Sequence, residues 1–444
     1  MVSKSLFFLG LLVLMFSGGC ASYRTTADWP DSFSTEPDVA STFSDTTRTA
    51  IPELAGPLTY PEALALALRH NPGLGAVVME VHAAEARTRQ AALYPNPEIG
   101  TEVENFAGSG PFSGIGGVET TVAISQPLLL GGKRGKAIRR AALQSDLATW
   151  EVARRRLDVR AEVHNAFNML LIAQEDVVLK EELVELAERL LETTEQRVQA
   201  GKVSAAETAR ARVIVAQNRI ALEQARRAKS DARTRLVAAW GGVKASFGKV
   251  QGDHTTLFEL PPEDSLRIRL EGNPDLGRFE TAIRDRRAAI DVEDAMAIPD
   301  PTVSGGVRRL EESGDVAFLV GLSIPLPLSD RNQGNRQAAR HDLTRVKREA
   351  EAVRIDLERR LTHACSRMEA ARMEARILDA EVIPQAESAY HRINQGYLQG
   401  RFDFLDVLDA QRTLFESRDR YLHALREYHE TVVAIERLIA RPVH

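Results

Sequence analysis

The stretch PEIGTEVENFAGSGPFSGIGGVETTVAISQPLLLGGKRG, residues 97–135, decides how the rest of the chain is read. Ile99, Val103, Val118, Thr120, Val122 and Ile124 fall on alternating positions. Glu98, Glu102, Glu104, Glu119, Thr121 and Ser125 lie between them. A period of two predicts strands with one apolar and one polar face. The intervening residues, Phe106 to Gly117, are rich in Gly and Ser and read as a loop. Long helical segments flank the unit on both sides. The question is what the apolar face of such a hairpin touches.

From Lys136 to Ala200 there is neither Gly nor Pro, and Leu143, Leu147, Trp150 and Leu157 recur at helical spacing. A helix over that span is roughly 97 Å long and suggests a coiled coil. Gly201 ends it. Ser204-Ala205-Ala206-Glu207 has the form of a capping box and opens a return helix to Trp240-Gly241-Gly242. Upstream, Thr59-Tyr60-Pro61-Glu62 has the same form. It starts a helix that runs to about Leu93, with a possible break at Asn71-Pro72. Val243 to Glu263 reads as a polar connector.

The chain then repeats itself. Asn71-Pro72-Gly73-Leu74-Gly75 recurs as Asn273-Pro274-Asp275-Leu276-Gly277, and Pro95-Asn96-Pro97 recurs as Pro299-Asp300-Pro301. A second hairpin follows from Thr302 to Pro325, in which Val316, Phe318, Val320, Leu322 and Ile324 alternate with smaller or polar residues. A second long helix starts near Asn335, with a kink expected at Pro384. Gly400 reverses the chain as Gly201 did, and a last helix runs from about Phe404 to Leu438. The chain is a duplicated half-molecule with a period far longer than that of solenoid repeats. The expected divisions are a signal peptide at 1–19, a lipidated tether at 20–57, a first repeat at 58–242 with strands near 97–126, a connector at 243–263, and a second repeat at 264–444 with strands near 301–325.

The leader sets the compartment. Lys4 precedes an apolar run from Leu6 to Phe16, too short to span a bilayer and suited to a signal peptide. Ser17-Gly18-Gly19-Cys20 resembles the bacterial lipobox, which implies acylation of Cys20 and, with Ala21 following, sorting to the outer membrane. The alternative is an ordinary secretory signal cut near Ala21. Cys365 is the only other cysteine, so it reads as a packed small residue rather than part of a metal site. The net charge of −5 is spread along the chain and leaves no basic face for nucleic acid. Lys133, Arg134, Lys136, Arg139 and Arg140 cluster below the first hairpin and read as a solvated helix start; contact with anionic headgroups or a place in the barrel mouth are the alternatives.

Four strands are available, with outward faces suited to lipid (Val118, Val122, Ile124; Phe318, Val320, Leu322). A sheet in a bilayer must close, because open edges leave backbone groups unpaired in hydrocarbon. The smallest bacterial barrels have about eight strands, so this chain must share a barrel with other copies.

Taken together, the duplicated helix–hairpin–helix layout, the element SQPLLLGGKRG, and Tyr397-Leu398-Gln399-Gly400 leading into Asp406-Val407-Leu408-Asp409-Ala410-Gln411 resemble the TolC-type outer-membrane efflux proteins from about Leu58 to Leu438. The resemblance implies a mainly α fold with a small membrane β part: a homotrimer with a twelve-stranded β-barrel in the outer membrane, continued by a long periplasmic α-helical barrel. It implies a passive exit duct served by a periplasmic membrane-fusion adaptor and an inner-membrane RND-type pump. The run Leu130 to Gly135 resembles the CzcC-like branch, which serves heavy-metal cation pumps.

The resemblance also places site residues. Asp406 and Asp409 match aspartate rings that close the resting channel near its periplasmic tip. Spaced three apart on a helix, both can face the same axis, and three copies would form a site that attracts cations. Asp406 can equally cap its helix, three residues after Asp403. Glu207 and Arg210 stand at the equivalent places in the first half, so the ring comes from the second half alone. Tyr397 matches a tyrosine that latches the closed tips; helix packing is its simpler use. Gly201, Lys202, Val203 and Ser204, with Gly400, Arg401, Phe402 and Asp403, would form the tips that meet the adaptor, and the glycines also permit tight reversals.

No P-loop, dinucleotide fingerprint or serine elbow appears, and the histidines show no ligand spacing. Neither enzymatic activity nor a cofactor is expected. Alternative readings are an outer-membrane channel for drugs or other organic compounds, and a periplasmic coiled-coil adaptor or scaffold lipoprotein.

Overall fold

In a computed structural model of the chain, the described residues are 56–443 and fall within one compact unit. The leader, Cys20 and the tether as far as residue 55 lie outside the described residues. In the first half, helices α1 (Tyr60–His70) and α2 (Pro72–Ala91) lead into strands β1 (Glu98–Glu104) and β2 (Glu119–Pro127). Helix α3 (Lys133–Gln199) and its return helix α4 (Ala205–Ala238) follow. The second half repeats the order: α5 (Glu263–Leu270), α6 (Pro274–Met296), β3 (Thr302–Leu310), β4 (Val316–Ser323), α7 (Gln333–Ile377), α8 (Ile383–Leu398) and α9 (Phe404–Ile439).

The repeated Asn-Pro motif does the same work twice. Asn71 Oδ1 accepts from Leu74 N–H at 2.9 Å and caps α2, while its Nδ2 donates to the Ala239 carbonyl at 2.7 Å. Asn273 caps α6 through Asp275 N–H at 2.7 Å and donates to the Leu438 carbonyl at 2.7 Å. Each buried asparagine therefore starts one helix and ties it to the far end of the return helix of its own half. The following proline occupies the first helical turn, where its missing N–H costs nothing. The fifth residue of the second copy is glycine because a side chain there would meet the Trp150 indole at 2.8 Å.

Helix α3 has 67 residues, about 100 Å at 1.5 Å per residue. Near its start it packs against α2 and α6, through Val152 with Leu74 and Val78 and through Trp150 Nε1 donating to Thr281 Oγ1 at 3.1 Å. Farther along it packs against α4 and α9, where Ile172 meets Leu425 and Arg226 of α4 pairs with Glu181. Arg437 joins the halves, bonding Asp158 at 2.7 Å and Asp275 at 3.0 Å. The polar connector is packed down as a strap. Phe247 is buried, Leu58 bridges Val250, and Gln174 bonds both backbone groups of Val250.

The four strands form one antiparallel sheet in the order β1-β2-β3-β4, so the two hairpins pair through β2 and β3. The register keeps the faces separate: Ile99 lies opposite Ile124, Val122 opposite Val307, and Val307 opposite Phe318. The outward apolar side chains are exposed, Phe318 by 86% and Val320 by 90%. Polar residues take the other face, where Arg308 bonds Glu104, Glu119 and Thr121.

Four expectations are corrected. Helix α3 begins a turn early, at Lys133, after Gly132 in the left-handed conformation at φ 70°. Lys133 is not solvated: it is buried, with Nζ 2.6 Å from Asp300 Oδ2 and from the Ile298 carbonyl. The interruption near Pro384 is a π-helical turn, Leu378–Val382, which shifts the hydrogen-bond ladder before the residue that cannot donate. At the start of α4 Ser204 is a simple N-cap and no capping box forms. Ser204 Oγ accepts from Ala206 N–H at 3.2 Å, but Glu207 does not reach back.

Candidate functional site

The two helix reversals at the end remote from the sheet share one geometry. After α3, Gly201 adopts φ 68°, and Lys202 N–H donates to the Arg197 carbonyl at 2.9 Å. After α8, Gly400 adopts φ 77°, and Arg401 N–H donates to the Gly396 carbonyl at 2.8 Å. These six-to-one bonds across a left-handed glycine close the last helical turn. Lys202, Ser204, Arg401, Phe402 and Asp403 are exposed and Val203 is half-buried. Phe402 lies over Gly396, leaving no room for a side chain at that position.

Tyr397 joins the two reversals. It is 1% exposed, although it is the last residue but one of α8. The Arg197 guanidinium of α3 lies 4.1 Å from its ring centroid and also donates to its carbonyl oxygen. Thr194 Oγ1 is 3.5 Å from its hydroxyl. Arg197 and Thr194 belong to the first half and Tyr397 to the second, so the contact ties one half's tip to the other's. Arg197 was not picked out from the sequence. Its signal is faint: a single arginine one turn before the glycine.

Asp406 and Asp409 share the exposed face of α9, while Phe404, Val407 and Ala410 face a core with Leu190 and Ala211. Asp406 accepts from Asp403 N–H at 2.9 Å, completing a capping box. Its capping role is therefore present within a single chain. Asp409 is 69% exposed and pairs with Arg412 at 2.8 Å. Both carboxylates point away from their own chain's core. In the first half, Glu207 is half-buried and Arg210 exposed, so the acidic pair is not duplicated.

At the other end, the SQPLLLGGKRG element is clasped to the second half. Leu130 N–H donates to Asp300 Oδ1 at 2.8 Å and Lys133 Nζ bonds Asp300 Oδ2 at 2.6 Å. A side chain on Gly131, which has φ 66°, would meet Ile298 at 2.6 Å. In the sequence Asp300 stands out only as part of a repeat. The change from Asn96 to Asp300 between the copies was the available signal.

Among the described residues, no group of three or more His, Cys, Asp or Glu could hold a metal ion, and no helix is long and apolar enough to cross a membrane. Cys365 is half-buried and lines a groove of about 490 Å³ with Leu260, Pro261 and Met373, far along the chain from both tips. Burial pushes its thiol pKa up, which disfavours the reactive thiolate.

With this geometry in place, the comparisons with known proteins are specific. The family model described as outer membrane efflux protein matches residues 63–242 and 266–441. The chain is 36% identical to the cobalt-zinc-cadmium resistance protein CzcC of Cupriavidus metallidurans over 91% of its own length and 96% of that protein's. It is 25% identical to the cation efflux system protein CusC of Escherichia coli K12, over 80% of each chain. Among solved structures, the outer membrane protein VceC of Vibrio cholerae superposes with a TM-score of 0.71 at 18% identity, covering 87% of this chain and 97% of that one.

Proposed function

The chain belongs to the outer membrane efflux protein family, and from that premise we propose that it is the outer-membrane exit duct of a cation-efflux assembly. The observation that carries the duct is the four-stranded sheet, apolar on its outer face and unpaired along β1 and β4. An open edge in hydrocarbon leaves backbone groups without partners, at several kcal/mol each. Pairing β4 of one copy with β1 of the next removes every edge. Three copies then supply twelve strands, and helices about 100 Å long continue the wall into the periplasm.

Divalent metal cations are the proposed cargo. Support comes from the 36% identity to CzcC, whose name states cobalt, zinc and cadmium resistance. Energy must come from an inner-membrane RND-type pump through a membrane-fusion adaptor, since the chain has no nucleotide motif of its own. The adaptor would meet the exposed reversals, Gly201 to Ser204 and Gly400 to Asp403. Acylated Cys20 would hold the chain's amino-terminal end in the membrane.

In this reading Asp406 and Asp409 ring the periplasmic tip, and Tyr397 with Arg197 latches the halves. The duct need not bind what it passes, so selectivity is electrostatic. The two exposed carboxylates raise the local concentration of cations, and Arg412 offsets part of that field.

The test is genetic. Deleting the chain's gene is expected to raise sensitivity to Zn²⁺, Co²⁺ or Cd²⁺ and leave sensitivity to dyes and antibiotics unchanged, with restoration by the intact gene. Sensitivity to organic compounds alone would reassign the cargo.

A further inference from the structure

The junctions between strands and helices carry a pattern that the alternation within the strands does not. Each of the four has exposed apolar side chains: Leu93 and Tyr94 before β1, Leu128 and Leu130 after β2, Met296 and Ile298 before β3, and Leu326 and Leu328 after β4. They mark an apolar collar where the sheet meets the helices, next in the chain to the strands that carry its apolar face. Directly beyond the collar, α3 opens with Lys133, Arg134, Lys136, Arg139 and Arg140 and has no acidic residue in its first turn. Cations at the positive end of a helix dipole are unfavourable unless something offsets them.

The chain offsets three of the five. Lys133 pairs with Asp300, Arg134 lies 4.1 Å from the Tyr94 ring centroid, and Arg140 lies 3.9 Å from Asp285. Lys136 and Arg139 have no ion pair among the described residues. With Gly132 and Gly135 they line one side of a groove of about 330 Å³, whose other side is Ala288 and Asp291 of α6. The neighbouring acids are otherwise engaged: Glu293 accepts from Asn332 and Asp294 pairs with Arg336. Asp291 alone faces the two cations and leaves the groove basic.

We propose that this groove binds the phosphodiester headgroup of a phospholipid in the periplasmic leaflet, with Lys136 and Arg139 on the phosphate and the acyl chains against the apolar collar. An apolar band followed at once by cations is the order in which a membrane protein meets hydrocarbon and then headgroups. The absence of side chains at Gly132 and Gly135 makes the space. This proposal rests on the reading that the sheet spans the outer membrane.

The test is native mass spectrometry of the detergent-purified protein titrated with dioleoyl-phosphatidylglycerol. Wild type is expected to retain the lipid and to lose it with rising salt. Lys136→Gln with Arg139→Gln is expected to weaken retention about tenfold or more. Lys136→Arg with Arg139→Lys keeps both charges and is expected to retain lipid. Arg345→Gln with Arg348→Gln, farther along α7, is expected to change nothing. Equal retention by the Gln pair would overturn the proposal. So would displacement of the lipid by inorganic phosphate alone, or a preference for lipopolysaccharide, which occupies the other leaflet. Conductance of the same preparations separates the two readings: equal retention by wild type and the Gln pair, with intact pores in both, refutes the groove alone, whereas absence of both trimer and pore refutes the duct beneath it.

Discussion

Single side chains fix the joints of this molecule. Asn273 satisfies one helix start and one helix end with a single amide. Asn273→Ala is expected to cost about 2–3 kcal/mol, the sum of a lost cap and a lost buried bond, read as a lower thermal midpoint in detergent. Asn71→Ala is expected to do the same in the first half. The repeat made both residues visible in the sequence. Their second bond was not legible, because it reaches a carbonyl 165 or more positions away. Lys133 shows the opposite failure. In a run of basic residues it reads as solvated, yet one aspartate on the other repeat pulls it inside. Asp300→Ala strands that cation and is expected to cost about 3 kcal/mol, whereas replacing both partners by apolar residues costs less.

A buried histidine adds a pH dependence. Burial holds the His429 imidazole below the ordinary histidine pKa, with Nε2 at 2.8 Å from the His254 carbonyl. The unfolded chain takes up its proton below about pH 6.5 and the folded chain only at lower pH. Stability from this group is therefore intact above that pH and is lost as pH falls toward the folded pKa. Chemical denaturation at pH 7.5 and 5.5 is expected to give a lower midpoint at the acid pH, and His429→Gln is expected to shrink the difference. An unchanged difference would remove His429 as its source.

Among the elements, the helices were the most legible. The Gly- and Pro-free stretch ending at Gly201, and the apolar spacing of the stretch ending at Gly400, mark both long hairpins to within a turn. The π turn before Pro384 was not legible, because proline announces an interruption but not how the ladder accommodates it. The tip carries a separable prediction. Asp406 completes the cap of α9, whereas the exposed Asp409 carboxylate pairs with Arg412. Asp409→Ala is expected to raise conductance and weaken block by multivalent cations with no change in stability. Asp406→Ala is expected to change both, lowering stability by about 1 kcal/mol. Conductance unchanged in both variants would remove the pair from the gate.

For the whole molecule, alternation within β1 to β4 gave the two faces of the sheet, and counting strands gave the need for partners. The order β1-β2-β3-β4, with the two hairpins joined through β2 and β3, could not be read from alternation, which fixes faces but not neighbours. The exposed Phe318 and Val320 and the unpaired edges now have one common explanation, a barrel shared among copies. The most direct test is planar-bilayer conductance of the detergent-purified full chain, with its mass in the same detergent. A trimer that inserts and gives discrete ohmic steps is the predicted result; a monomer, or a trimer that never conducts, even with both tip aspartates replaced by alanine, would contradict it.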